Sequence, residues 1–196
     1  MPDETLMLDP ATTALVLIDL QQGIVARETA PYAAAEVVAR SVRLADAFRA
    51  AGALVVLVHV DFAPDLRDQL NPPRDEAPPP STLAPGWADF VPGLGPREGD
   101  VVITKRQWGA FYGTGLDLQL RRRGIRTLVL GGIATNYGVE STARDAWERG
   151  YALVLAEDAT ATFTAEAHAL ALKYVFPRIA RVRSTDAVLA MLGASS

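Results

Sequence analysis

Six short stretches read as strands: TALVLID (Thr13–Asp19) and ALVVLVHV (Ala53–Val60), which are nearly continuous apolar runs, then VVITK (Val101–Lys105), TLVLGGI (Thr127–Ile133), ALVLAED (Ala152–Asp158) and IARVR (Ile179–Arg183). Runs of this length without polar alternation suit strands of a parallel sheet covered on both faces. The stretches between them carry helical spacing. Val37, Val38, Val42, Leu44, Ala45 and Phe48 recur within 33–51, and Gly52 then stops the helix. Further helices are expected through GLDLQLRRRG to Gly124, from about Gly138 to Arg149, near Ala165 to Phe176, and from Ser184. Strands alternating with helices predict a doubly wound α/β sandwich with right-handed crossovers, one domain over 1–196.

One segment breaks that rhythm. Residues 61–98 hold nine of the thirteen prolines, including PPRDEAPPP, with Phe62, Trp87 and Phe90 among them. A loop this long in a compact domain is either functional or a solvent-exposed insertion, and its aromatic residues favour an ordered lid or wall.

Charge and residue usage exclude several function classes. A net charge of −4 offers no basic field for nucleic acid or anionic lipid, and Arg121–Arg123 read as complements to a helix C-terminus. The chain has no cysteine, so disulfides, thiolate metal sites and a cysteine nucleophile are all excluded. His59 and His168 lie far apart and form no metal motif. No metal and no cofactor is expected. The start, MPDETLMLDP, lacks an apolar leader core and no run reaches membrane-spanning length, so a cytoplasmic protein acting on a small molecule is expected.

In open α/β sheets ligands bind beyond the carboxyl ends of the strands, which makes the residues delivered there the candidates. Asp19 follows an apolar strand directly, and a buried carboxylate needs a partner, for which Lys105 at the end of the third strand is suited. Lys105 would lower the Asp19 pKa while burial would raise it, and the sequence leaves the balance open. A structural ion pair explains the two residues equally well. Gly131 to Asn136, followed by a helix, could offer backbone N–H groups to an anion, although the glycines could equally serve close strand–helix packing. GGIATNYG matches neither dinucleotide- nor phosphate-loop patterns. Ser141 and Thr142 lie inside the helix without an evident base. His59 is expected to be a core or supporting residue, and His168 to pack or to bond backbone.

LIDLQ (Leu17–Gln21), KRQWGAFYGT (Lys105–Thr114) and GGIATNYGVESTARDAWERGY together resemble the isochorismatase-like hydrolase superfamily, in its order and spacing, over about Thr12 to Ala187. The resemblance implies a Rossmann-like three-layer sandwich with a six-stranded parallel sheet, and a homodimer or homotetramer. Most members are amidohydrolases with an Asp, Lys and Cys triad. Asp19 and Lys105 match the first two positions, and Gly138 stands at the third. The family's cis peptide maps to Ile133–Ala134, and its oxyanion hole to the Ala134 and Gly138 N–H groups. The metal-binding cluster of nicotinamidases is not reproduced by His59-Val60-Asp61-Phe62.

Gly138 cannot form the covalent thioester. Isochorismatases also carry glycine there and cleave a vinyl ether with an aspartic acid as proton donor. The expected function is therefore Asp19-based acid–base hydrolysis of a small polar, carboxylated substrate. Lys105 would hold that substrate, and Gln21, Trp108, Phe111, Tyr112, Ala134 and Asn136 would contact it. Arg106, Arg67 and Arg74 are candidate partners for its charge. The alternatives are an inactive ligand-binding or scaffold homologue, and amide hydrolysis by water.

Overall fold

The computed structural model describes residues 7–76 and 82–193. Its centre is a six-stranded, all-parallel sheet in the order β3-β2-β1-β4-β5-β6, flanked by helices on both faces. The strands are β1 (Thr13–Ile18), β2 (Leu54–Val60), β3 (Val101–Lys105), β4 (Thr127–Ile133), β5 (Ala152–Ala161) and β6 (Arg181–Arg183). The order reverses between β1 and β4, and at such a switch point the loops leave in opposite directions and open a crevice.

Alternation along each strand divides the core in two. Leu15, Leu17, Val55, Leu57, Val129 and Val154 face α2 (Ala34–Ala50) and α7 (Thr185–Met191), which contribute Val37, Leu44, Phe48 and Val188. Ala14, Val16, Ile18, Val56, Val58, Leu128 and Leu130 face α3 (Leu116–Arg122), α4 (Glu140–Glu148) and α6 (Phe176–Ile179), which bring Leu116, Leu120, Ala143, Ala146 and Phe176. Fully burying a Leu or Phe side chain contributes about 1.5–3 kcal/mol, so the two slabs fix the helices to the sheet. In α2 the Glu36 carboxylate accepts from the Ala33 N–H at 3.0 Å, and Gly52 at φ +73 ends the helix region. No helix among the described residues is long and apolar enough to cross a membrane.

The departures from expectation are local. A four-residue helix, α1 (Gln22–Val25), follows β1, and α5 (Ala165–Tyr174) ends before α6 begins. Ile179, expected in the last strand, closes α6, whose first turn carries Pro177; the strand itself is only Arg181–Arg183. The helix expected from Gly138 is preceded by a π-helical turn over Thr135–Val139, with α4 starting at Glu140. β5 continues past Asp158 to Ala161 because it bulges: β4 advances from Leu130 to Gly132 while its partner advances from Leu155 to Thr160. Glu157 and Asp158 therefore do not end that strand. Asp158 accepts from the Thr185 N–H and hydroxyl at 2.6 and 2.8 Å and so caps α7 against the sheet.

The proline-rich segment is pinned at both ends. At one end the Asp61 N–H donates to Lys105 O at 3.2 Å. At the other, the Gln22 and Gly23 N–H groups donate to Asp89 O and Trp87 O at 2.8 and 2.9 Å, and Val91 N–H to Leu20 O at 3.2 Å. Trp87 lies so close over Gly23 that a Cβ there would fall 1.9 Å from its ring. Val91 and Leu94 enter the core. Pro78–Pro80 fall outside the described residues.

The closest backbone approach is at the switch point. Gly132 has φ +121, and a Cβ would meet Ile18 O at 2.1 Å. Gly132→Ala is expected to destabilise by about 3 kcal/mol or more, since strain and overpacking combine. Gly52→Ala, at φ +73 with nothing within 4 Å, should cost about 1 kcal/mol. Chemical denaturation of the two variants measures the difference.

Candidate functional site

β1 stops at Ile18, and Asp19 takes φ +54, a left-handed conformation tolerated by short polar side chains. Its N–H still donates to Val58 O at 2.8 Å, so the turn is anchored to β2. Lys105 closes β3 opposite Val60. β2 separates the two, and the long lysine chain reaches across its end to place Nζ 2.7 Å from Asp19 Oδ2. Nζ also donates to Gln107 O at 3.0 Å. Both residues are buried, at 6% and 2% exposure for Asp19 and Lys105. Burial holds the Asp19 carboxyl above its ordinary value, outweighing the Lys105 charge, its hydrogen bond and the smaller pull of His59. The other oxygen, Oδ1, is buried and has no hydrogen-bond partner among the described residues.

Gly138 sits in the π-helical turn directly against this carboxylate. A Cβ built there would lie 3.0 Å from Asp19 Oδ2, 3.0 Å from Ile18 Cγ2 and 3.4 Å from Trp108 O. A side chain at 138 would thus project onto Asp19, and glycine leaves that contact to other molecules. The turn is fixed from below. Thr142 Oγ1 donates to Gly138 O at 2.7 Å and accepts from the Ala110 N–H at 3.1 Å, tying α4 to the segment after β3. The Ile133–Ala134 peptide bond that enters the turn is cis.

Asp19, Lys105, Ala134 and Gly138 line one cavity of about 820 Å³. Trp108, Tyr137 and Phe163 form one aromatic side, with ring centroids 4.8 Å apart for Trp108–Tyr137 and 6.1 Å for Tyr137–Phe163. Phe62 and Trp87, 6.4 Å apart, face the same cavity from the pinned loop. A smaller cavity of about 360 Å³ lies beside Arg49 and Asp100 at the opposite end of the sheet and holds none of these residues.

Four residues expected to contact substrate lie outside that lining. Gln21 is fully buried and spent on backbone: Oε1 accepts from Val60 N–H at 2.8 Å, and Nε2 donates to Val60 O and Trp87 O at 2.9 and 3.2 Å. Phe111 packs into the core beside Tyr151, and Tyr112 is 77% exposed. Asn136 Oδ1 accepts from Thr162 Oγ1 at 2.5 Å. Of the proposed cations, Arg106 and Arg74 line the cavity, Arg106 paired with Asp68 at 2.5 Å, while Arg67 lies outside the lining and pairs with Asp65 at 3.5 Å. Arg27, Tyr137 and Phe163 line it too and were not singled out from sequence.

The histidines are held in place. His59 Nδ1 donates to Ala88 O at 2.9 Å, since a carbonyl only accepts, and Nε2 meets Thr104 Oγ1 at 2.8 Å. His168 is buried, which lowers its pKa, and meets the Thr135 hydroxyl at 2.9 Å rather than backbone. No group of three His, Cys, Asp or Glu that could hold a metal ion occurs among the described residues.

Because the folded pKa of Asp19 is raised, its contribution to stability is full at low pH and is lost as pH rises through that value. Lys105 pulls the pKa down, so Lys105→Met should raise it further and enlarge the loss at higher pH. The variant is expected to lose about 3 kcal/mol at neutral pH and distinctly less near pH 4. Denaturant titrations at the two pH values test this.

Residues 13–187 match the isochorismatase domain family. The isochorismatase family protein YecD of Escherichia coli O157:H7 is 52% identical over 184 residues, covering 94% of this chain and 98% of that protein. An isochorismatase family protein from Burkholderia thailandensis superposes with a TM-score of 0.91 at 48% identity, covering 95% of this chain and 98% of the other. The ureidoacrylate amidohydrolase RutB of Methylorubrum extorquens is 35% identical over 188 residues, covering 80% of this chain and 73% of its own length. The chain belongs to the isochorismatase family and is a hydrolase of that family by descent and fold.

Proposed function

We propose that this hydrolase cleaves a small carboxylated enol ether by acid–base chemistry at Asp19, without a covalent enzyme intermediate. The observation that carries the reading is the buried Asp19–Lys105 pair set against Gly138 in a chain that has no cysteine. A thioester has no sulfur to form on. What the site does offer is a carboxyl group whose proton affinity is raised by burial, with Oδ2 engaged by Lys105 and Oδ1 buried without a hydrogen-bond partner among the described residues.

In this reading the Asp19 carboxyl gives its proton to the terminal vinyl carbon of the substrate. The C=C electron pair forms the new C–H bond, leaving an oxocarbenium ion at the ether carbon. Water adds there and returns a proton to the Asp19 carboxylate. The hemiketal then collapses, breaking the C–O bond to release an α-keto acid and an alcohol. Lys105 stays protonated, stabilises the transient carboxylate and keeps it aimed. The Ala134 and Gly138 N–H groups are proposed to steady the substrate's carboxylate or the hemiketal oxygen.

Amide hydrolysis by water is a second reading, favoured by the likeness to RutB. Incubation with isochorismate and coupled detection of pyruvate separates the two when run beside a panel of ureido and amide acids. Pyruvate release is the expected result; turnover of amides alone would replace the first reading by the second. Asp19→Asn should lower turnover about 10²- to 10⁴-fold, the range for a lost general acid. The rate should fall as pH rises through the raised Asp19 pKa, because only the protonated acid reacts. An Asp19→Asn variant with unchanged turnover would remove Asp19 from the chemistry.

A further inference from the structure

We infer that Arg27 is the specificity-determining anchor for a carboxylate carried on a planar, ring-bearing substrate. The inference rests on the enol-ether reading only in sharing its cavity. Arg27 lines that cavity, and its guanidinium carbon lies 3.5 Å from the Phe163 ring centroid. The other cations there are differently placed: Lys105 is bound to Asp19 and Gln107 O, Arg106 to Asp68, and Arg74, on the proline-rich segment, is engaged as well. The Arg27 guanidinium makes no ion pair or hydrogen bond to the described residues. Stacking on a ring uses the face of a guanidinium and leaves its N–H edge available, which is the geometry that grips a carboxylate through two parallel hydrogen bonds.

The position of Arg27 is built into the backbone rather than left to a loop. Ala30 and Thr162 form an isolated antiparallel bridge, with N–H···O bonds of 2.7 and 2.9 Å exchanged in both directions. That bridge fixes the Arg27 segment against Phe163, the residue after Thr162. Thr162 in turn donates to Asn136 in the π-helical turn that carries Gly138. A row of ring contacts therefore runs Arg27, Phe163, Tyr137, Trp108, tilted between Phe163 and Tyr137 and edge-on between Tyr137 and Trp108, beginning with a cation and ending in the segment that follows Lys105. An unsaturated ring would lie along the aromatic faces with its carboxylate on Arg27, while its ether end meets Asp19.

Benzoate and benzamide, which share shape and differ in charge, are the probes. Calorimetry on the whole protein should show benzoate binding more tightly than benzamide. In Arg27→Gln, benzoate affinity should fall about 10- to 100-fold, the range for a charge-assisted pair, with benzamide unchanged. Arg27→Lys keeps the charge without the planar fork and should restore only part of the loss. The inference is overturned if wild type binds no benzoate, if Arg27→Gln binds it as wild type does, or if both probes weaken equally. Full recovery in Arg27→Lys would overturn the two-point grip. Arg27 is exposed, so these variants should keep the wild-type melting curve. Asp19→Asn is expected to retain benzoate binding while losing turnover, so the failure of either reading is visible without the other.

Discussion

The ion pair between Asp19 and Lys105 is the constraint around which the rest of the site is arranged. On a surface such a pair would contribute little. Here both groups are buried, and losing either removes the charge that offsets the desolvation of the other. The pair can form only because three neighbouring strands end in register: β1 delivers the carboxylate, β3 the ammonium, and β2 supplies the carbonyl at Val58 that holds the Asp19 turn. Asp19 is neither a fully compensated structural anion nor an ordinary surface acid. Burial prevails over the lysine, and the group is left with proton affinity to spend.

Two glycines make that arrangement possible by what they omit. At Gly132 the missing Cβ lets β4 come up against the Ile18 backbone, which brings the π-helical turn beside β1. At Gly138 the missing side chain leaves the Asp19 carboxylate uncovered on that side. The first glycine is a requirement of the fold, and the second decides what can stand against Asp19. Their neighbourhoods differ accordingly: Gly132 faces backbone atoms that cannot yield, whereas the nearest atoms to Gly138 belong chiefly to side chains.

The sheet was legible because strands buried on both faces must be apolar throughout, and few other structures produce such runs. Asp19 and Lys105 were legible for the same reason: a charge ending an apolar run has to be accounted for. Legibility failed where side-chain direction or long-range pairing decides. Gln21 stands beside Asp19 in sequence yet is consumed by the Val60 and Trp87 backbone. Phe111 and Tyr112 follow Trp108 closely, but one turns into the core and the other into solvent. Arg27 carries no local sign of importance, because it reaches the cavity through a bridge to Thr162 that no sequence window contains. The bulge in β5 was hidden too, since Glu157 and Asp158 read as a strand end, whereas Glu157 accepts from the Tyr32 hydroxyl and Asp158 faces α2 and α7.

The way the proline-rich segment is attached bears on how such a scaffold can diversify. Its two ends are stitched to the strand termini that carry Asp19 and Lys105, with Trp87 clasped over Gly23, while Phe62, Gln69, Leu70, Pro72, Arg74 and Glu76 between them line one wall of the cavity. Between those stitches Asp68 pairs with Arg106 in the segment after β3, so exchanges elsewhere in the described stretch leave the acid and its lysine tied as they are. The wall is in effect a replaceable panel. Gene duplication followed by drift in this one segment could set a new wall against an unaltered Asp19–Lys105 pair.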